Sequence, residues 1–195
     1  AFSGIRVNAG SNVRILGNEI RRSGETALYV EFAFQGAVVA NNLIDEAANG
    51  ISVVNFLQGG RLATVSGNLV RNLRSTGPYP AGEPGFGFGI AVEADTAVTG
   101  NVVEGAPYAG LLLGWGPYLR NVTVSGNVVR DAAVGAMVSV VDGAGAVVIS
   151  GNTFQAIRNG AIVGYRHGRA AGGDLTSPGS SLPAHVTIDA NRVSP

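Results

Sequence analysis

Seven short runs, in which β-branched or other apolar residues alternate with small or polar ones, each lead into an Asn. VRILGNEI carries Asn18, AVVANNLI Asn42, ATVSGNLV Asn68, TAVTGNVV Asn101, VTVSGNVV Asn127, VVISGNTF Asn152 and VTIDANRV Asn191. Successive Asn lie 24, 26, 33, 26, 25 and 39 residues apart, so a basic unit of roughly 25 residues carries two insertions, as stacked repeat arrays do. A second alternating run, usually starting near a Gly, recurs in each unit: Gly4-Ile5-Arg6-Val7, Leu28-Tyr29-Val30-Glu31, Gly50-Ile51-Ser52-Val53, Gly89-Ile90-Ala91-Val92-Glu93, Gly110-Leu111-Leu112-Leu113, Gly135-Ala136-Met137-Val138 and Gly160-Ala161-Ile162-Val163. Period-two runs bounded by Gly and Asn predict strands with one face buried, and a helical period is nowhere sustained. A third short run, such as Leu69-Val70-Arg71, follows each Asn.

Units this short cannot bury their apolar side chains alone. Stacking strand on equivalent strand predicts an all-β chain, a right-handed parallel β-helix of about seven rungs with a rise of about 4.8 Å per rung. It is read as one domain over residues 1–195, the C-terminal part of a longer protein, with insertions near 71–88 and 166–185. The seven Asn are expected at turns, where Asn tolerates a positive φ and where identical amides one rung apart form a hydrogen-bonded ladder.

Composition narrows the function. Only 13% of residues are charged, and 13 cations balance 13 anions, which gives no field for nucleic acid. Cysteine is absent, removing disulfides and thiolate metal sites. No run is long enough for a transmembrane helix. All the fixed positive charge is Arg, so a Lys base or Schiff base is excluded. Exposed β-helix ends invite association, so missing upstream repeats or a capping partner are expected to cover residues 2–7.

With Ile90, Val92 and Ala94 taken as inward, Glu93 and Asp95 are expected on the solvent face about 7 Å apart. That separation suits the acid and base of an inverting glycosidase, which need about 6.5–9.5 Å. Glu31 falls in the same outward column, roughly 10 Å from Glu93. Three carboxylates in one groove would also hold Ca²⁺ if loop carbonyls added ligands. The same pattern fits isolated acids that keep a sheet face soluble.

Tyr29, Trp115, Tyr118 and Tyr165 sit on or just after first strands. Sugar rings stack on such faces, with the insertions as walls, although rings at turns also serve simply to cover a core end. Arg166 and His167, with His185, Arg169 and Asp174, would give a base and charge clamp for a uronate, unless the second insertion is a plain surface loop. Asn121-Val122-Thr123 matches a glycosylation sequon by chance, and the many Gly are turn residues rather than a nucleotide loop.

The V-x-G-N-x-V rungs resemble the pectate-lyase-like superfamily of right-handed β-helices, which holds polysaccharide lyases, glycosidases and uronan epimerases. More closely, Asn49-Gly50-Ile51-Ser52-Val53 with Gly59-Gly60-Arg61-Leu62, the stretch from Gly89 to Asn101, and Leu113-Gly114-Trp115-Gly116-Pro117-Tyr118-Leu119-Arg120 are similar to a family of repeat proteins exported by the twin-arginine pathway in alphaproteobacteria. That resemblance implies an exported, periplasmic or extracellular location and supplies no catalytic residues. The polygalacturonase pattern is absent: Tyr165-Arg166-His167-Gly168-Arg169 is its nearest approach and lacks the acids. The reading that follows is an exported β-helix that binds, and if catalytic cleaves or modifies, polysaccharide on its first-strand face. Glu93, Asp95 and Glu31 are its candidate acids, and Tyr29, Trp115, Tyr165, Arg166 and His167 its substrate contacts. The alternative is a non-catalytic envelope scaffold.

Overall fold

The alternating runs resolve into three parallel sheets, because each inward position stacks on its equivalent one rung away. In the first sheet the inner file is Ile5, Leu28, Ile51, Ile90, Leu111, Ala136 and Ile162. In the second it is Ile15, Val39, Val65, Val98, Val124, Ile149 and Ile188. In the third it is Ile20, Ile44, Val70, Val103, Val129, Phe154 and Val193. These files meet in one continuous core, exposed only towards the two ends. The computed structural model describes residues 2–56, 61–80, 82 and 85–195; Gly59 and Gly60, quoted above for the resemblance, lie outside the described residues. Among the described residues the architecture is a right-handed parallel β-helix of seven rungs, as the repeat predicts, and no helix is long and apolar enough to cross a membrane.

The Asn ladder is present, but its geometry differs from expectation. The left-handed residue at that corner is the one before each ladder Asn: Gly17, Asn41, Gly67, Gly100, Gly126, Gly151 and Ala190 all have φ between 51° and 65°. This turn aims the Asn side chain inward. Each amide Nδ2 donates to the Oδ1 of the next ladder Asn, from Asn18 through Asn42, Asn68, Asn101, Asn127 and Asn152 to Asn191, at 2.9–3.0 Å. From Asn42 onwards Nδ2 also donates to a second-sheet carbonyl of an earlier rung, as Asn101 does to Val65.

A second corner, ahead of the second sheet, is left-handed at Asn12, Gly36, Leu62, Asp95 and Asn121. The first strand of the fourth rung therefore ends before Asp95, and alternation does not carry through it.

The second insertion is a strand as well as a loop. His167 and Gly168, with φ of 47° and 85°, form the primed type of tight turn that suits a hairpin. They reverse the chain so that Arg169–Asp174 pairs antiparallel with Ile162–Arg166. The Asp174 carboxylate accepts hydrogen bonds from Ala161 N and Thr176 N, which fixes the hairpin base. Arg169–Asp174 thus covers the outer edge of the last first-sheet strand, at the opposite end of the coil from residues 2–7.

Candidate functional site

The outer face of the first sheet is apolar where an ordinary solvated face would be polar. Ala91, Leu112, Met137 and Val163 form one outward file and pack with Phe88, Ala109, Val134 and Tyr165 in a second buried cluster, flanked by Tyr108 and Trp115. The neighbouring file runs Glu31, Val54, Glu93, Gly114, Ser139 and Tyr165, the first pair and the last pair being direct register partners. Register places Tyr165, not Gly164, in this file, because Ser139 pairs with Tyr165 and Val138 with Gly164. Small residues at Gly114 and Ser139 let the Tyr165 ring lie down over the sheet, and its hydroxyl donates to the Gly114 carbonyl. Burial pushes the Tyr165 phenol pKa well up.

A pocket of about 270 Å³ opens on this face. Tyr29, Ser52, Ala91 and Leu112 form its floor, Trp115 and Tyr165 one wall, and Tyr79 and Phe86 of the first insertion another. The Tyr79 and Phe86 rings stack 5.3 Å apart, and Tyr79 Oη donates to Glu25 Oε1 at 2.7 Å, tying the insertion to the start of the second rung. Trp115 packs against Tyr165 at 6.5 Å and takes the edge of the His167 ring at 5.8 Å.

Glu93 lines this pocket and is 1% exposed. Its Oε2 accepts the backbone N–H groups of Asn55 and Phe56 at 2.7 and 2.6 Å, while Oε1 has no hydrogen-bond partner among the described residues. Burial raises the Glu93 pKa, and the two amide bonds oppose that only in part. A carboxyl whose folded-state pKa is raised favours the fold below its unfolded value, about 4.3. That contribution is lost as pH rises through the folded value. Glu93→Gln, which cannot ionise, is expected to gain stability relative to the unchanged protein as pH rises above about 4.3, read as a widening difference in urea midpoints; parallel midpoints at all pH values would refute it.

Of the expected site residues, the structure brings together Glu93, Tyr29, Trp115 and Tyr165. It separates the rest. Asp95, turned by its left-handed backbone, sits beside a shallow groove on the second sheet and accepts Asn121 Nδ2 at 2.8 Å. Glu31 is buried and ion-paired with Arg6. The acid pair of Glu93 and Asp95, and the three-carboxylate Ca²⁺ set, are therefore not assembled, and among the described residues no group of three or more His, Asp or Glu is placed to hold a metal. Arg166 and His167 are exposed at the hairpin tip and do not line the pocket. His185 Nε2 instead contacts the Ser139 carbonyl at 2.9 Å, so the uronate clamp is not assembled either. Sequence reasoning missed Glu25, Ser52, Tyr79 and Phe86; the only signal was the clustering of aromatic residues in the first insertion.

No curated protein and no solved structure matches the chain. A family model described as right handed beta helix region matches residues 1–129, more than half of the chain and agreeing with the rungs described above. The chain belongs to that right-handed beta helix family.

Proposed function

We propose that the protein binds saccharide in the pocket on the outer face of its first sheet. The observation that carries this reading is the aromatic lining: Tyr29, Tyr79 and Trp115 present partly exposed rings beside Ser52, Ala91 and Leu112, with Phe86 and Tyr165 buried in the walls. Flat amphipathic rings give a sugar an apolar stacking face and hydroxyl partners at the rim.

Binding without cleavage is the form the geometry supports. Glu25 and Glu93 both line the pocket, but they stand two rungs and about six residue positions apart, which separates their backbones by roughly 20 Å. Paired carboxyls for glycoside hydrolysis need at most about 9.5 Å. Polysaccharide of this kind is met outside the cytoplasm, in keeping with the export that the resemblance implies.

A panel of neutral, amino and uronic oligosaccharides, titrated by calorimetry, tests the reading. At least one is expected to bind, and Trp115→Ala to weaken it tenfold or more, since losing a stacked ring forfeits roughly 1.5–3 kcal/mol. Tyr79→Ala, on the opposite wall and outside the core, is expected to weaken the same ligand. Absence of binding across the panel, or full affinity in both variants, would leave the scaffold reading.

A further inference from the structure

We infer that this pocket admits sugar units that are uncharged or carry an amine, and excludes uronates. The inference rests on the saccharide reading and deepens it. The charged groups among the described lining residues are two carboxyls, Glu25 and Glu93, and no Arg or His is among the described residues that line it. The nearest cation over the floor, Arg6, stands 5.1 Å from the Tyr29 ring centre but is ion-paired with the buried Glu31. Arg166 and His167 face solvent at the hairpin tip.

A uronate carboxylate entering the pocket would be stripped of water beside Glu25 and Glu93, and the guanidinium nearest the floor among the described residues, Arg6, is already held by Glu31. In the weakly polarisable surroundings of a pocket such repulsion far exceeds its value in water. Glu93 sharpens the effect: among the described residues both its amide donors serve Oε2, and the buried Oε1 has no partner. Its unneutralised half favours a ligand that donates a hydrogen bond. Hydroxyl groups and amines share that chemistry; a carboxylate lacks it.

The test compares three probes at pH 7 on the whole chain: a neutral hexose oligomer, a de-N-acetylated hexosamine oligomer and an oligogalacturonate. The uronate is expected to bind at least tenfold more weakly than the better of the other two, whose order tells hydroxyl from amine recognition. In the Glu25→Gln, Glu93→Gln double variant that discrimination is expected to fall at least fivefold, with thermal melting confirming that both proteins are folded. Gln at 93 keeps a carbonyl oxygen for the two amides, so the fold is retained; should the double variant not fold, Glu25→Gln alone is expected to halve the ratio or more. Equal or tighter uronate binding, or an unchanged ratio in a folded variant, overturns the selectivity while leaving saccharide binding intact. Failure of all three probes would instead strike the saccharide reading itself.

Discussion

Asn101→Ala is expected to lower the stability of the β-helix by about 3–5 kcal/mol, because one side chain serves four hydrogen bonds in a site closed to water. Asn101 is 0% exposed. Its Oδ1 accepts the backbone N–H and the Nδ2 of Asn68, and its Nδ2 donates to the Val65 carbonyl and to Asn127 Oδ1. In the variant Asn68 N–H has no acceptor, an orphan that costs about 1–3 kcal/mol when buried. Asn68 Nδ2 and Asn127 Oδ1 each keep one partner, so their losses are smaller. Asn101→Asp is expected to be worse at neutral pH despite its shape, since an oxygen would replace the amide that faces two acceptors. Asn18, half-buried at the ladder's end and accepting from no earlier rung, provides the comparison: Asn18→Ala is expected to cost about 1 kcal/mol or less. Urea denaturation of the three variants decides the matter, and equal costs at positions 18 and 101 would mean that the ladder contributes little.

Gly89→Ala is expected to cost about 3 kcal/mol or more, although Gly→Ala inside a regular element ordinarily stabilises by roughly 0.5–1 kcal/mol. Gly50, Gly89, Gly110 and Gly135 form a file where the third sheet leads into the first. A Cβ at Gly89 would stand 2.5 Å from the Gly110 carbonyl oxygen and 2.5 Å from Val103 Cγ1. At Gly50 it would meet the Gly89 oxygen at 2.2 Å. One obstacle in each case is backbone, so no rotamer change relieves it. Gly100 makes the contrast: its φ of 62° is left-handed but a Cβ there has open space, so Gly100→Ala is expected to cost only about 1–2 kcal/mol. A Gly89→Ala midpoint equal to or above that of the parent would show that the rungs can spread apart.

The rungs were legible because the core demands them. Every inward file is apolar, and a spacing of about 25 residues survives both insertions. Individual acids were less legible because their direction depends on where a strand stops. Glu93 and Asp95 are two apart, which on an uninterrupted strand means a shared face. Asp95, however, is the left-handed corner residue of its rung, equivalent to Asn12, Leu62 and Asn121. Asn at the equivalent places was the available hint, since Asn and Asp tolerate that conformation. Tyr165 was displaced by one position because Gly160 precedes an Ala161 that takes the place of the Gly135 of the rung before it. The pocket walls were not legible at all: Tyr79 and Phe86 are placed by ring packing and by the Glu25 hydrogen bond, contacts some 54 residues apart in sequence that no local periodicity encodes.

The reversed strand Arg169–Asp174 bears on how molecules of this shape stay separate. A parallel coil presents at each end a template on which the opening coil of another copy could continue in register, so that units would lengthen head to tail into filaments. An antiparallel strand presents the wrong hydrogen-bond spacing for such continuation. By turning one hairpin back across the outer edge of Ile162–Arg166, the chain blocks such continuation on its first sheet.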